Sequence, residues 1–169
     1  MFIGHKINFK VHTFATVREF ARFRTVTYYT LRREGATSTE TDDFLHRMEQ
    51  ETGYRSQLRK LIKWFKIIGD DIDGASFGLF RQEGLCVALP PQGRYLGETI
   101  DLRLYCHWVS ENVIILYNGG IKTARAAQDC PNVSRHFYNA QSWTKQLIEI
   151  GIETNGPVIT NIEELYIKY

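Results

Sequence analysis

Residues 102–125, Leu-Arg-Leu-Tyr-Cys-His-Trp-Val-Ser-Glu-Asn-Val-Ile-Ile-Leu-Tyr-Asn-Gly-Gly-Ile-Lys-Thr-Ala-Arg, restrict the possible folds more than any other stretch of the chain. Two runs rich in β-formers flank Ser110-Glu111-Asn112, a polar break of hairpin length. Alternation along the first run sets Leu102, Leu104, Cys106 and Trp108 on one face and Arg103, Tyr105 and His107 on the other. The first set belongs in a core. The second is cationic, aromatic and titratable, an unusual combination for a merely solvated face. Val113 to Tyr117 is continuously apolar, as expected of a central strand buried on both sides. Asn118-Gly119-Gly120 then permits a sharp turn or a bulge, and Lys122 and Arg125 follow it.

The flanking segments supply the rest of a fold. Residues 6–14 alternate through Ile7, Phe9 and Val11 and read as a strand; Arg24 to Leu31 reads as a second, with a helical turn over Thr16 to Phe23 between them. Ser38-Thr39-Glu40-Thr41-Asp42-Asp43 is a helix start, with hydroxyl caps and then first-turn acids, and Phe44, Leu45 and Met48 form its apolar stripe. Gly53 breaks that helix. Leu58, Leu61, Ile62 and Phe65 mark another, stopped near Gly69. Its polar face carries Arg55, Arg59, Lys60, Lys63 and Lys66, which reads either as a solvated face or as a phosphate-facing ridge. Residues 77–89 suggest two short strands or one broken strand, turned near Gln82-Glu83-Gly84. A loop carrying Arg94 leads into the hairpin, and Ala140, Trp143, Leu147 and Ile150 mark a final helix over roughly 135–150. The tail has β-like runs at Pro157 to Thr160 and Tyr166 to Tyr169. This order predicts an α+β fold: an antiparallel sheet, a helical pair packed on one face, and a further helix after the last core strand.

With 169 residues, 43% of them apolar, the chain is long enough for one well-packed core. A net charge of +2 does not by itself demand a nucleic-acid partner, but bases gather at 18–33, 55–66 and 94–125. Three cysteines without a C-x-x-C spacing suggest neither a disulfide framework nor a zinc site. No apolar run approaches the roughly 18 residues of a membrane span, and the N-terminus lacks the apolar core of a secretory signal. The expectation is a soluble cytoplasmic protein with no metal and no cofactor.

A helical pair precedes Arg94-Tyr95-Leu96-Gly97, then Leu102-Arg103-Leu104, Val113-Ile114-Ile115-Leu116, Gly120-Ile121-Lys122-Thr123 and a helix beginning near Asn139-Ala140. In that order of motifs, residues 39–150 resemble the RelE/ParE superfamily of toxins from toxin–antitoxin systems, especially the phage-derived, host-inhibition-of-growth-like branch. The resemblance implies a core over 39–150, with 1–38 as an N-terminal β extension packed on it and 151–169 as a tail that can add an edge strand. Asp101 stands where that branch has a glutamate, and Ile121-Lys122 where it has a lysine pair. The resemblance implies a metal-independent endoribonuclease. It would cleave mRNA, on or off the ribosome, by attack of a 2′-hydroxyl on the adjacent phosphate, restrained by an antitoxin. Such a reaction needs a proton acceptor, cations for the charged phosphorane and a proton donor for the leaving oxygen. Arg103 and Lys122 are the expected charge stabilisers, supported by Arg125 and Arg94. His107 is the expected acid or base, with His136 the second choice. Tyr105 or Tyr117 is expected to stack a base or donate a proton, and Arg59 and Lys63 to hold RNA backbone. The alternative is a non-catalytic member of the same fold, such as a mobile-element protein, that binds a protein partner. The catalytic reading requires Arg103, His107 and Lys122 to converge on one phosphate.

Overall fold

The computed structural model describes residues 14–91, 100–152 and 166–168. In chain order the elements are β1 (Phe14–Arg22), β2 (Thr27–Arg33), α1 (Glu40–Gln50), α2 (Arg55–Lys66), β3 (Arg81–Glu83), β4 (Cys86–Leu89), β5 (Leu102–Ser110), β6 (Val113–Ile121), α3 (Ser134–Glu149) and β7 (Tyr166–Lys168). Among the described residues the strands form one sheet in the order β3-β4-β5-β6-β2-β1-β7. The fold is α+β, and the sheet is mixed: β2 and β6 run parallel, whereas the other neighbours are antiparallel.

Two readings of the N-terminal region change. Thr16 to Phe23 is not a helical turn. Buried Ala15 and Val17 alternate with half-buried Thr16 and exposed Arg18, and Val17 pairs with Leu31 across the strands, so most of that stretch is β1. Nor is the described part of 1–38 an added extension, because β2 lies between β6 and β1 within the sheet. The strand read over residues 6–14 lies, but for Phe14, outside the described residues. The tail does add an edge strand, with β7 pairing antiparallel to β1; Pro157 to Thr160 lie outside the described residues.

Each face of the sheet has its own core. Phe44 and Met48 of α1 and Leu58, Leu61 and Phe65 of α2 pack on Leu102, Leu104, Cys106 and Trp108, the apolar face that alternation assigned to β5. Phe137, Ala140, Trp143 and Leu147 of α3 cover the other face, against Val17, Leu31, Tyr105, Ile115 and Tyr117. Helices therefore flank the sheet on both sides.

The Asn118-Gly119-Gly120 segment makes a bulge. Leu104 pairs with Gly119 and Cys106 with Leu116, so Tyr117 and Asn118 together stand opposite Tyr105. Gly119 is obligatory there, since a Cβ on it would lie 1.8 Å from the Arg103 carbonyl oxygen. The extra residue switches the alternation, and Ile121 packs on the same core as Leu116.

This topology leaves a crevice. β2 and β6 are adjacent and parallel, with Thr30 paired to Leu116, so their carboxyl ends lie side by side. The chain leaves β2 for α1 on one face and leaves β6 for α3 on the other. Where successive helices depart to opposite faces, no connection covers the strand ends, and ligands characteristically bind there.

Candidate functional site

The three expected catalytic side chains do not meet. Arg103 and His107 stand four positions apart on β5, about 13 Å at the rise of an extended strand. Lys122 lies beyond the Arg103 end of the hairpin, where its backbone N–H donates to the Asp101 carbonyl at 2.8 Å. Arg103 and His107 share the expected face, but α3 lies over that face. Arg103 is only 7% exposed, and its Nη1 donates to the carbonyls of Ile100 (2.6 Å) and Leu102 (2.8 Å). Burial lowers its pKa, and the nearby Arg81 charge adds to the shift. His107 is 2% exposed, and its Nε2–H donates to the Ile152 carbonyl at 2.7 Å. Burial there lowers the imidazole pKa. Tyr105 is enclosed as well, edge-on to Phe137 at 5.9 Å, and cannot stack on a base. Arg59 and Lys63 are exposed on α2, on the side of the sheet opposite Arg103. Arg125 is exposed and Lys122 half-buried, and Arg94 lies outside the described residues. The alternation on β5 is as read; its polar face is an interior one because α3 needs an apolar seat and finds it in Tyr105, Ile115 and Tyr117.

An open polar cavity lies instead at the carboxyl ends of β2 and β6, a cleft of about 420 Å³. Arg33 enters it from the end of β2, Asn118 from the bulge of β6, Ser38, Thr39, Glu40 and Asp43 from the start of α1, Arg47 from the last turn of α1, and Arg135 and His136 from the start of α3. Thr39 caps α1, its Oγ1 accepting from the Asp42 N–H at 3.1 Å. Both long helices beside the cleft present their N-termini to it, each carrying roughly half a positive charge.

Asn118, 3% exposed, organises the floor. Its Nδ2 donates to Glu40 Oε2 (3.0 Å) and to Asp43 Oδ2 (2.9 Å). Its Oδ1 accepts from Arg47 Nη2 (2.5 Å) and from the Gly119 N–H (2.8 Å). Arg47 also binds Asp43 Oδ2 through Nε at 2.9 Å and donates to the Gly119 carbonyl at 2.9 Å. Arg33 pairs with Glu40, which is 8% exposed, and lies 5.3 Å over the ring centroid of buried Trp143. Burial alone would raise the Asp43 carboxyl, but the hydrogen bonds from Asn118 and Arg47 outweigh it and hold the pKa below its ordinary value. Burial, reinforced by the Arg47 and Arg135 charges, takes His136 from 6.5 down to about 4. At neutral pH its imidazole is therefore uncharged, and its Nδ1 is buried without a hydrogen-bond partner among the described residues.

Three guanidinium groups thus face two carboxylates, leaving one positive charge in excess before the helix ends are counted. Arg135 is exposed and forms no ion pair among the described residues. Such a cleft is suited to an anion. Of its residues, only His136 was anticipated as an acid or base; Asn118 was read as backbone punctuation. Arg33, Arg47 and Arg135 carry no local motif, and Asp43 was read only as a first-turn acid of α1. Knowing that β2 pairs parallel to β6 is what singles them out, and that pairing joins segments more than eighty positions apart.

Among the described residues no group of three His, Cys, Asp or Glu side chains is placed to hold a metal ion. No helix among them is long and apolar enough to cross a membrane. No protein-family model matches the chain, and comparison with curated proteins and with solved structures finds no match.

Proposed function

We propose that the chain binds a phosphate-bearing ligand in the cleft at the carboxyl ends of β2 and β6, with RNA as the ligand that the RelE/ParE resemblance implies. One observation carries this reading: a switch-point crevice with a surplus guanidinium, bordered by two helix N-termini. Arginine suits the role because its planar fork matches two phosphate oxygens at once. Enclosure of Arg103 and His107 argues against cleavage by those residues. An antitoxin partner belongs to the reading only through the resemblance.

His136 favours a second reading, metal-independent RNA cleavage within the same cleft. An uncharged imidazole with a partnerless nitrogen, beside Arg47 and Arg135, supplies a proton acceptor and the cations that the phosphorane needs. A pKa of about 4 makes it a weak base, so binding stands first. The test is labelled single-stranded RNA in EDTA, followed for both retention and cleavage. Arg135→Ala should weaken binding about tenfold and reduce the salt slope by about 0.7, the value for one phosphate contact on a single strand. Retention that is indifferent to Arg135→Ala and to salt would refute the proposal. Cleavage that disappears in His136→Ala would promote the second reading.

A further inference from the structure

The walls of the cleft are unlike those of an ordinary small-molecule pocket, which is lined mainly by apolar and aromatic side chains around a few polar groups. Here Ala36 is the only apolar side chain among the lining residues. Trp143, over which the Arg33 guanidinium lies, is itself buried, so among the described lining residues no aromatic face is offered to a base.

The polar groups fall into two chemical kinds. Arg135, exposed and without an ion-pair partner among the described residues, lies with the N-terminus of α3 at one side; both are donors suited to phosphate oxygens. Asp43, Asn118 and His136 are different. A carboxylate accepts from a hydroxyl and repels a phosphate. A neutral imidazole either donates to or accepts from a hydroxyl, and brings no charge of its own to a phosphate. Asn118 spans Glu40 and Asp43, fixing both carboxylates in place. A ligand of phosphate alone would leave that second group facing water or like charge.

We infer that the cleft recognises a phosphorylated sugar, taking its phosphate at Arg135 and the start of α3 and its hydroxyls at Asp43 and His136, without reading a base. This rests on the phosphate reading above and specifies it. A ribose–phosphate backbone and a free pentose phosphate share the required chemistry. The 2′-hydroxyl that distinguishes RNA from DNA is the kind of group the carboxylate end accepts.

The experiment is calorimetric titration of the full chain with inorganic phosphate, ribose 5-phosphate, AMP and a short oligoribonucleotide. Ribose 5-phosphate is expected to bind about tenfold more tightly than inorganic phosphate, one good hydrogen-bonded group's worth, and AMP within about threefold of ribose 5-phosphate. Asp43→Asn should abolish the advantage of ribose 5-phosphate over inorganic phosphate, the ratio of the two affinities falling to about one. If that variant does not fold, His136→Leu carries the same comparison. An oligoribonucleotide tighter than ribose 5-phosphate identifies RNA backbone as the source; one no tighter identifies a free sugar phosphate, and either outcome supports the class. Equal affinity for phosphate and ribose 5-phosphate overturns the inference and leaves the phosphate reading standing. So does AMP binding more than about tenfold tighter than ribose 5-phosphate, which would show that a base is read. Failure of every phosphorylated probe to bind overturns both.

Discussion

Replacing Asn118 by alanine tests whether the floor of the cleft is held by one side chain. The amide is 3% exposed and makes four hydrogen bonds, to Glu40, Asp43, Arg47 and the Gly119 N–H. They do not count equally. Asp43 and Arg47 are 46% and 36% exposed at their side chains, still bond each other at 2.9 Å, and can turn to water. Glu40 and the Gly119 N–H are buried, and each loses a partner that water reaches poorly. At roughly 1–3 kcal/mol for each buried group left unsatisfied, with partial relief from water entering the vacated space, the expected loss is about 3 kcal/mol. For a chain of 169 residues this lowers Tm by about 6–12 °C. Urea unfolding and a thermal scan of Asn118→Ala read the two quantities directly. Asn118→Asp, nearly isosteric, replaces the donor facing Glu40 and Asp43 by a third acceptor and should destabilise at least as much. A loss below about 0.5 kcal/mol in both variants, the range of an ordinary surface substitution, would refute the account of the floor.

Three further outcomes follow from the same geometry. Gly119→Ala forces a Cβ to within 1.8 Å of the Arg103 carbonyl oxygen, so β5 and β6 must separate locally; a loss of about 3 kcal/mol or more is expected in urea unfolding, and a variant as stable as wild type would show the bulge to be misassigned. His136 has its pKa depressed from 6.5 to about 4, so the unfolded chain takes up its proton first. The stability it contributes is whole above pH 6.5 and is lost as the pH falls towards 4. Wild type should therefore lose about 2 kcal/mol more than His136→Leu between pH 7 and pH 4, allowing for the partial exposure of the ring; parallel pH profiles would refute this. Arg103→Met removes a buried guanidinium whose Nε has no partner among the described residues. Phosphate and RNA binding should be unchanged within about twofold, and loss of binding in a folded variant would return the site to the β5 face.

Local regularities determined much of the fold from sequence. The Thr39 cap and the Phe44, Leu45, Met48 stripe mark α1, the spacing of Leu58, Leu61 and Phe65 marks α2, and the polar break at Ser110-Glu111-Asn112 marks the turn, Glu111-Asn112, between β5 and β6. These signals lie within a few residues of one another, where backbone preference and side-chain period act directly. The bulge at Asn118-Gly119-Gly120 was also legible as a possibility, since only glycine at 119 lets the Arg103 carbonyl approach so closely. Alternation on β5 correctly separated its two faces, but it could not say whether the polar one met solvent or a helix. Packing of α3 decided that, because burial depends on which distant segment covers a face. The parallel pairing of β2 with β6 was likewise outside the reach of sequence pattern: it joins strands separated by α1, α2 and three other strands, and no local period records a partner so remote. From that pairing, with the departure of α1 and α3 to opposite sides, comes the cleft. Arg33, Asp43, Arg47, Asn118 and Arg135 are ordinary polar residues along the chain, and they become a site only through the tertiary fold.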